Sequence, residues 1–216
     1  MNIAREVLKR ISPYMKSKGF TLSGRNFYFI SNDIAYCVAI DVPGGLLYAT
    51  AYVMPLYVPC ESRYYTYGDR INDQNKSMVP LLRKDADIET ICKWCDVLCQ
   101  CIETKIMPAY NQIGTPFALA EHVEHIANLP SSLFSCPQVF AERLKMFTYL
   151  YIRDFHKTDI AIECYRNLLG SSTFLTSMVR QKYLDESIAI RTLAQGNEKD
   201  LEDYFSKIST VTRSVL

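Results

Sequence analysis

Apolar residues open the chain at helical spacing. Ile3, Val7, Leu8, Ile11, Tyr14 and Met15 fall every third or fourth position, so they share one face of a helix. Pro13 lacks a backbone donor and predicts a kink or restart; Gly19 predicts the stop. The period then shortens to two. Strands are predicted at Asn26–Ser31, Asp33–Val42 and Leu47–Met54. In the second, Ile34, Tyr36, Val38, Ile40 and Val42 share a face, and Ala35, Cys37 and Ala39 leave the opposite face low enough for a helix to approach. In the third, Tyr48, Thr50, Tyr52 and Met54 alternate with Leu47, Ala49, Ala51 and Val53. Asn32-Asp33 and Pro43-Gly44-Gly45 are turn sequences, which makes the strands an antiparallel meander. Pro55 to Pro80 has no clean period and reads as a long loop, or a short fourth strand plus loop.

The helical period returns from about Ala86 to Tyr110, with Ile88, Ile91, Cys92, Cys95, Leu98, Cys99, Ile102 and Ile106 as its apolar stripe. Asp85 or Asp87 suits its N-cap, where a carboxylate accepts free N–H groups. Asn111–Pro116 is a boundary, and Thr115-Pro116 reads as a cap followed by proline in the first turn. A short helix is predicted over Phe117–Asn128, then a connector over Leu129–Pro137. Four helices follow, at Val139–Phe155, Asp159–Leu169, Thr173–Ala194 and Glu198–Val211, with Gly170 and Gly196 as stops and Ser172 and Asn197 as caps. The chain therefore reads as α+β. Residues 1–112 form an antiparallel sheet of three or four strands covered by helices, and residues 113–216 form a helical segment packed on it.

Composition narrows the classes. The 216 residues are 49% hydrophobic and 22% charged, which suits a folded core rather than a disordered chain. The net charge is +1, so nucleic acid is not expected as a partner. One cluster runs against this balance: Arg5, Lys9, Arg10, Lys16, Lys18 and Arg25 face only Glu6 as a nearby acid. It reads as a solvated helix face, with a polyanion site as the other reading. No apolar run is long enough to span a bilayer, and charges at Arg5, Glu6, Lys9 and Arg10 stand where a signal peptide has its apolar core. A cytoplasmic protein without membrane contact is expected. Its eight cysteines are then expected to be reduced thiols.

Several motifs carry a resemblance. Leu8–Phe20 ends in Lys18-Gly19-Phe20, Gly24-Arg25-Asn26-Phe27-Tyr28 follows, and then come the apolar strand Ile34–Val42, a stretch from Cys60 and Arg63 to Arg70, and the long helix. In this order they resemble a family of small bacterial proteins catalogued as a domain of unknown function (DUF4304-like), over roughly the first 110 residues. The resemblance implies an α+β fold and no established activity. This chain departs from the family in having Glu61 after Cys60, where a histidine is expected, and in placing its only tryptophan, Trp94, in the helix. The helical tail lies outside the likeness.

Four groups of residues carry candidate chemistry. Cys92, Cys95, Cys99 and Cys101 are conspicuous, but zinc needs four ligands converging in a tetrahedron, and one straight helix does not supply that. Buried thiols in an apolar stripe are the simpler reading, with Cys101 pointing away from it. Glu121, His122, Glu124 and His125 offer two histidines on one helical side, without the spacing of a zinc protease. His156, between Asp154 and Asp159, reads as a turn residue or a general base. The Tyr57–Arg70 loop is the preferred binding surface, through Tyr57, Arg63, Tyr64, Tyr65, Tyr67 and Arg70. Tyrosine and arginine offer rigid contact area and hydrogen bonds; the competing reading is that these tyrosines cover the sheet and bridge to the helices. No phosphate-binding glycine loop, dinucleotide fingerprint or nucleophile elbow is present in the sequence.

The sequence therefore favours a non-enzymatic binding or interaction protein with a protein partner, for instance a toxin neutraliser or a regulatory subunit. No cofactor or metal is expected. The alternatives are an enzyme on a small molecule, its pocket lined by the Tyr57–Arg70 loop, and a metal-responsive protein.

Overall fold

Helix α1 (Ile3–Ser17) is bounded at both ends by its own sequence. The Asn2 carboxamide accepts the Arg5 N–H at 3.2 Å. At the other end Gly19 takes φ +86°, and the N–H groups of Gly19 and Phe20 reach back to Lys16 O and Met15 O, both at 3.0 Å. That geometry closes a helix on a left-handed residue, which glycine adopts without steric cost. The helix runs unbroken through Pro13, against the expected restart. Proline there only deprives the Lys9 carbonyl of its helical donor.

The structure, a computed structural model, describes residues 2–60, 67–72, 78–126, 134, 136–173 and 175–216. It is α+β, with an antiparallel sheet in the N-terminal half and helices after it. The strands are β1 (Thr21–Ser23), β2 (Asn26–Ser31), β3 (Ile34–Asp41), β4 (Leu46–Pro55), β5 (Tyr67–Arg70) and β6 (Leu82–Arg83). Their order is β1-β2-β3-β4-β5, with β6 beside β4. This is more than the three or four strands predicted. β1 and β6 are too short to show a period, and β5 lies in the tyrosine-rich stretch. Asn32 and Asp33 both take positive φ, the two-residue turn their sequence announced between Ser31 and Ile34.

The predicted long helix is α2 (Ile88–Cys101), a π-helical turn over Ile102–Ile106, and α3 (Met107–Gln112). Asp87 caps α2 by accepting the Thr90 N–H at 2.7 Å. The wide turn sits just before Pro108, which cannot donate to the carbonyl of Thr104, and the Met107 N–H bonds to Ile102 O instead. Helices α4 (Pro116–Ile126), α5 (Gln138–Tyr151), α6 (Phe155–Ser171), α7 (Ser177–Ala194) and α8 (Glu198–Ser214) follow. Thr115 caps α4 through the Ala118 N–H, and Asn197 caps α8 through the Asp200 N–H. Two expected end signals fall differently. Gly170 lies inside α6, and Thr176, not Ser172, caps α7 through the Val179 N–H. Among the described residues, no helix is long and apolar enough to cross a membrane.

The chain divides into two compact units. The first holds the described residues of Met1–Met54, Tyr67–Gly114 and Ser131–Ser135. Its core is the sheet with α1, α2 and α3. The buried Tyr110 hydroxyl donates to Cys37 O at 2.5 Å, and the Tyr36 hydroxyl to Ile113 O at 3.2 Å, so helix and strand are tied by polar as well as apolar contact. An aromatic chain, Phe20–Phe29–Tyr36–Tyr110–Phe134, fills the space around them. The second unit holds the described residues of Pro55–Thr66, Thr115–Pro130 and Cys136–Leu216. In it α4 lies against α5, α5 against α6 and α6 against α7. The segment 55–60 is built into this helical unit: the Thr212 hydroxyl donates to Val58 O at 3.2 Å and the Arg143 guanidinium to Pro59 O at 3.3 Å.

Candidate binding grooves beside the first helix

A residue advances about 100° around a helix, so α1 sorts its side chains by angle. Ile3, Val7, Ile11 and Met15 point to the core and are buried. Lys9 lies opposite. Between these faces are two flanks, and each opens on a groove.

The first groove has a volume of about 460 Å³ and lies between α1 and the β1–β2 turn. Arg5 and Lys9 form its α1 wall, Arg25 stands across from them, and Leu8 and Leu22 supply apolar surface. Ser23 pairs with Asn26, so Gly24-Arg25 is a two-residue turn. Gly24 takes φ +61°, and the Arg25 carbonyl is fixed by the Ile40 N–H at 3.0 Å. None of the nine lining residues is acidic.

The second groove, about 640 Å³, lies between α1 and α2. Lys9 lines it too, with Arg10, Tyr14, Cys92, Cys95 and Cys99. Apart from Lys9 and Asp96, the charges here are paired among the described residues. Arg10 meets Glu6 at 2.8 Å. Glu103 receives Lys18 at 2.5 Å and the Tyr14 hydroxyl at 2.7 Å. The predicted basic cluster thus divides: Arg10 and Lys18 have counter-charges, and Arg5, Lys9, Lys16 and Arg25 make no ion pair among the described residues, three of these four lining the first groove.

The cysteines of α2 are distributed differently from the expectation. Cys95 and Cys101 are buried, and Cys92 and Cys99 are half-buried. The buried face of α2 is wide: Ile91, Trp94, Cys95, Leu98 and Cys101 all belong to it, which places Cys101 in the core and leaves Cys92 and Cys99 at its rim, toward α1. Burial pushes the Cys95 thiol up to about 12 and the Cys99 thiol up to about 11, with Cys99 and Asp96 respectively adding the next largest contributions. Both are protonated at neutral pH, and a thiol is a far weaker nucleophile than a thiolate. No disulfide joins any of the eight cysteines. Among the described residues, no group of three or more histidine, cysteine or acidic side chains has the arrangement of a metal site.

The tyrosine loop is only partly described. Arg63, Tyr64 and Tyr65 lie outside the described residues. Tyr57 is 1% exposed; its ring stacks on Tyr151 with centroids 4.3 Å apart, inside the helical unit. Tyr67 is 0% exposed and stacks on Phe134 at 5.7 Å, in the other unit. Arg70 is half-buried, with its guanidinium 4.1 Å from the Tyr48 ring. Tyr57 and Tyr67 are thus core side chains of different units, and Arg70 is the part of the group that meets solvent among the described residues.

The remaining candidates are engaged in structural contacts or stand on the surface. Glu124 accepts the Tyr149 hydroxyl and lies 3.7 Å from Lys157. His122 is half-buried, and burial, then the charge of His125, lowers its pKa; Glu121 and His125 are exposed. Asp154 caps α6 through the Lys157 N–H at 3.0 Å, and Asp159 lies 3.7 Å from Arg191. His156 is exposed.

No family model, curated protein or solved structure matches the chain.

Proposed function

We propose that the protein is a non-enzymatic binding protein that engages a protein partner through the exposed face of α1. The observation that carries this reading is the pair of open grooves flanking α1, with Lys9 on the ridge they share. Their walls hold the groups that recognition uses: guanidinium and ammonium groups, a tyrosine and apolar side chains. The groups that chemistry would use are held in unreactive forms. Cys95 and Cys99 keep their protons, and burial, with the hydrogen bond to Glu103, raises the Tyr14 phenol beyond its ordinary range. The reading of an enzyme pocket lined by the Tyr57–Arg70 loop loses two of its residues to core packing, since Tyr57 and Tyr67 stack inside their units.

A photo-crosslinking amino acid at Leu8, with a second variant labelled at Met178 on α7, tests the reading in lysate of the source organism. One discrete adduct from position 8 that excess unlabelled protein competes away is the expected result. Equal, non-competable labelling from both positions contradicts it.

A further inference from the structure

We propose that the groove between α1 and the β1–β2 turn is a binding site for a small organic phosphate monoester with an apolar body. This goes beyond the partner-binding reading and does not depend on it.

Three observations converge. Cations from two separate elements face one concavity: Arg5 and Lys9 from α1, and Arg25 from the hairpin turn. Arg5 and Lys9 are four residues apart, a rise of about 6 Å along the helix axis, so both reach a single oxyanion. None of the three has a counter-charge among the described residues, whereas Arg10 and Lys18 on the same helix have theirs. The turn that carries Arg25 is fixed by the Ile40 N–H to Arg25 O bond, so the guanidinium starts from an ordered backbone.

Charge and shape then select the ligand. A phosphate monoester carries about −1.5 to −2 at neutral pH and three acceptor oxygens, which three cations match better than they match one carboxylate. Guanidinium groups bind such oxygens in a bidentate fork. Leu8 and Leu22 give the groove apolar surface beside the cations, and Leu22 is 38% exposed. A volume of about 460 Å³ suits a small molecule rather than a duplex.

The test is an amide NMR titration of the full chain with phenyl phosphate at low ionic strength, where screening is weakest. Benzoate serves as the singly charged comparator and a phosphoserine peptide as the protein-borne source. Phenyl phosphate is expected to saturate, with shifts concentrated at Arg5, Leu8, Lys9, Leu22 and Arg25, and benzoate to bind at least tenfold more weakly. Removing one guanidinium some 5 Å from the phosphate, by Arg5→Gln or Arg25→Gln, is expected to weaken binding roughly five- to twentyfold. Lys16→Gln, which removes an exposed charge of the same helix outside the groove, is expected to change it less than twofold. Equal losses in Lys16→Gln and Arg5→Gln, or equal affinity for benzoate, overturn the site. A phosphoserine peptide that binds more than tenfold tighter than phenyl phosphate overturns the small-molecule assignment in favour of a phosphorylated partner.

Discussion

Asn72 gives the sharpest test of the fold of the first unit. It is 1% exposed, and its side chain serves the backbone of β4 where that strand changes partners. β4 pairs with β6 at Leu46 and Leu47, and with β5 from Thr50 to Val53. Between these ladders the Asn72 amide donates to Leu47 O at 2.8 Å and its carbonyl accepts the Ala49 N–H at 3.0 Å. Leu47 and Ala49 are both fully buried, so no solvent replaces either bond. Asn72→Ala strands one donor and one acceptor, each costing about 1–3 kcal/mol, so a loss of about 2–6 kcal/mol is expected. That is a large part of a typical domain's stability of about 5–15 kcal/mol. Urea unfolding followed by Trp94, the only tryptophan and a member of this unit, reads it directly. The expected result is a lower midpoint at unchanged slope. A stability within about 0.5 kcal/mol of the parent would refute the claim that this carboxamide bridges the two ladders.

Other outcomes follow from the same geometry. In the helical unit the Arg143 guanidinium meets Glu186 in a bidentate pair, at 2.7 and 2.5 Å, with side chains 14% and 17% exposed. Burial opposes its charge, but the hydrogen bonds and charge of Glu186 outweigh that and hold it above the ordinary range. Glu186→Ala leaves a buried cation and is expected to cost about 3–5 kcal/mol, read by circular dichroism during urea unfolding. Tyr57→Phe keeps the stack on Tyr151 but removes the buried hydroxyl that accepts from Thr148 at 3.4 Å, and is expected to cost about 1 kcal/mol, whereas Tyr57→Ala is expected to lose about 3–5 kcal/mol; equal effects would show that the ring does not matter. Alkylation of Cys99 is expected to accelerate only as pH rises toward about 11. Because the folded state holds the Cys95 and Cys99 protons more tightly than an unfolded thiol of about 9, this contribution to stability is whole below pH 9 and declines as pH climbs toward 11–12. An alkaline unfolding midpoint that does not move in Cys95→Ala would count against it.

Long periodic elements were legible in the sequence, and so were most caps. α1, β2 to β4, α2 and the five later helices lie close to where their apolar spacing places them, and Asp87, Thr115 and Asn197 cap as their chemistry predicts. The short strands were not, because three residues of β1 and two of β6 show no period. The π turn follows from Pro108, a local backbone constraint that a hydrophobic stripe does not register. Tyr57 and Tyr67 read either as a binding surface or as cover for the sheet, because tyrosine is amphipathic; which side of an element it faces is decided by tertiary packing. The basic cluster was visible by composition. Its division into paired and unpaired charges was not, since the acid that neutralises Lys18, Glu103, is far along the chain on the π turn after α2.

The central claim is that the exposed face of α1 binds a partner, and Lys9 is the residue common to both grooves. Charge reversal there, Lys9→Glu, alters the binding face on an exposed ridge and leaves the buried residues of α1 untouched. The most direct measurement is the affinity of parent and Lys9→Glu proteins for the partner identified by crosslinking from position 8. The account predicts at least a tenfold loss with an unchanged thermal midpoint. Equal affinity of the two proteins would contradict it.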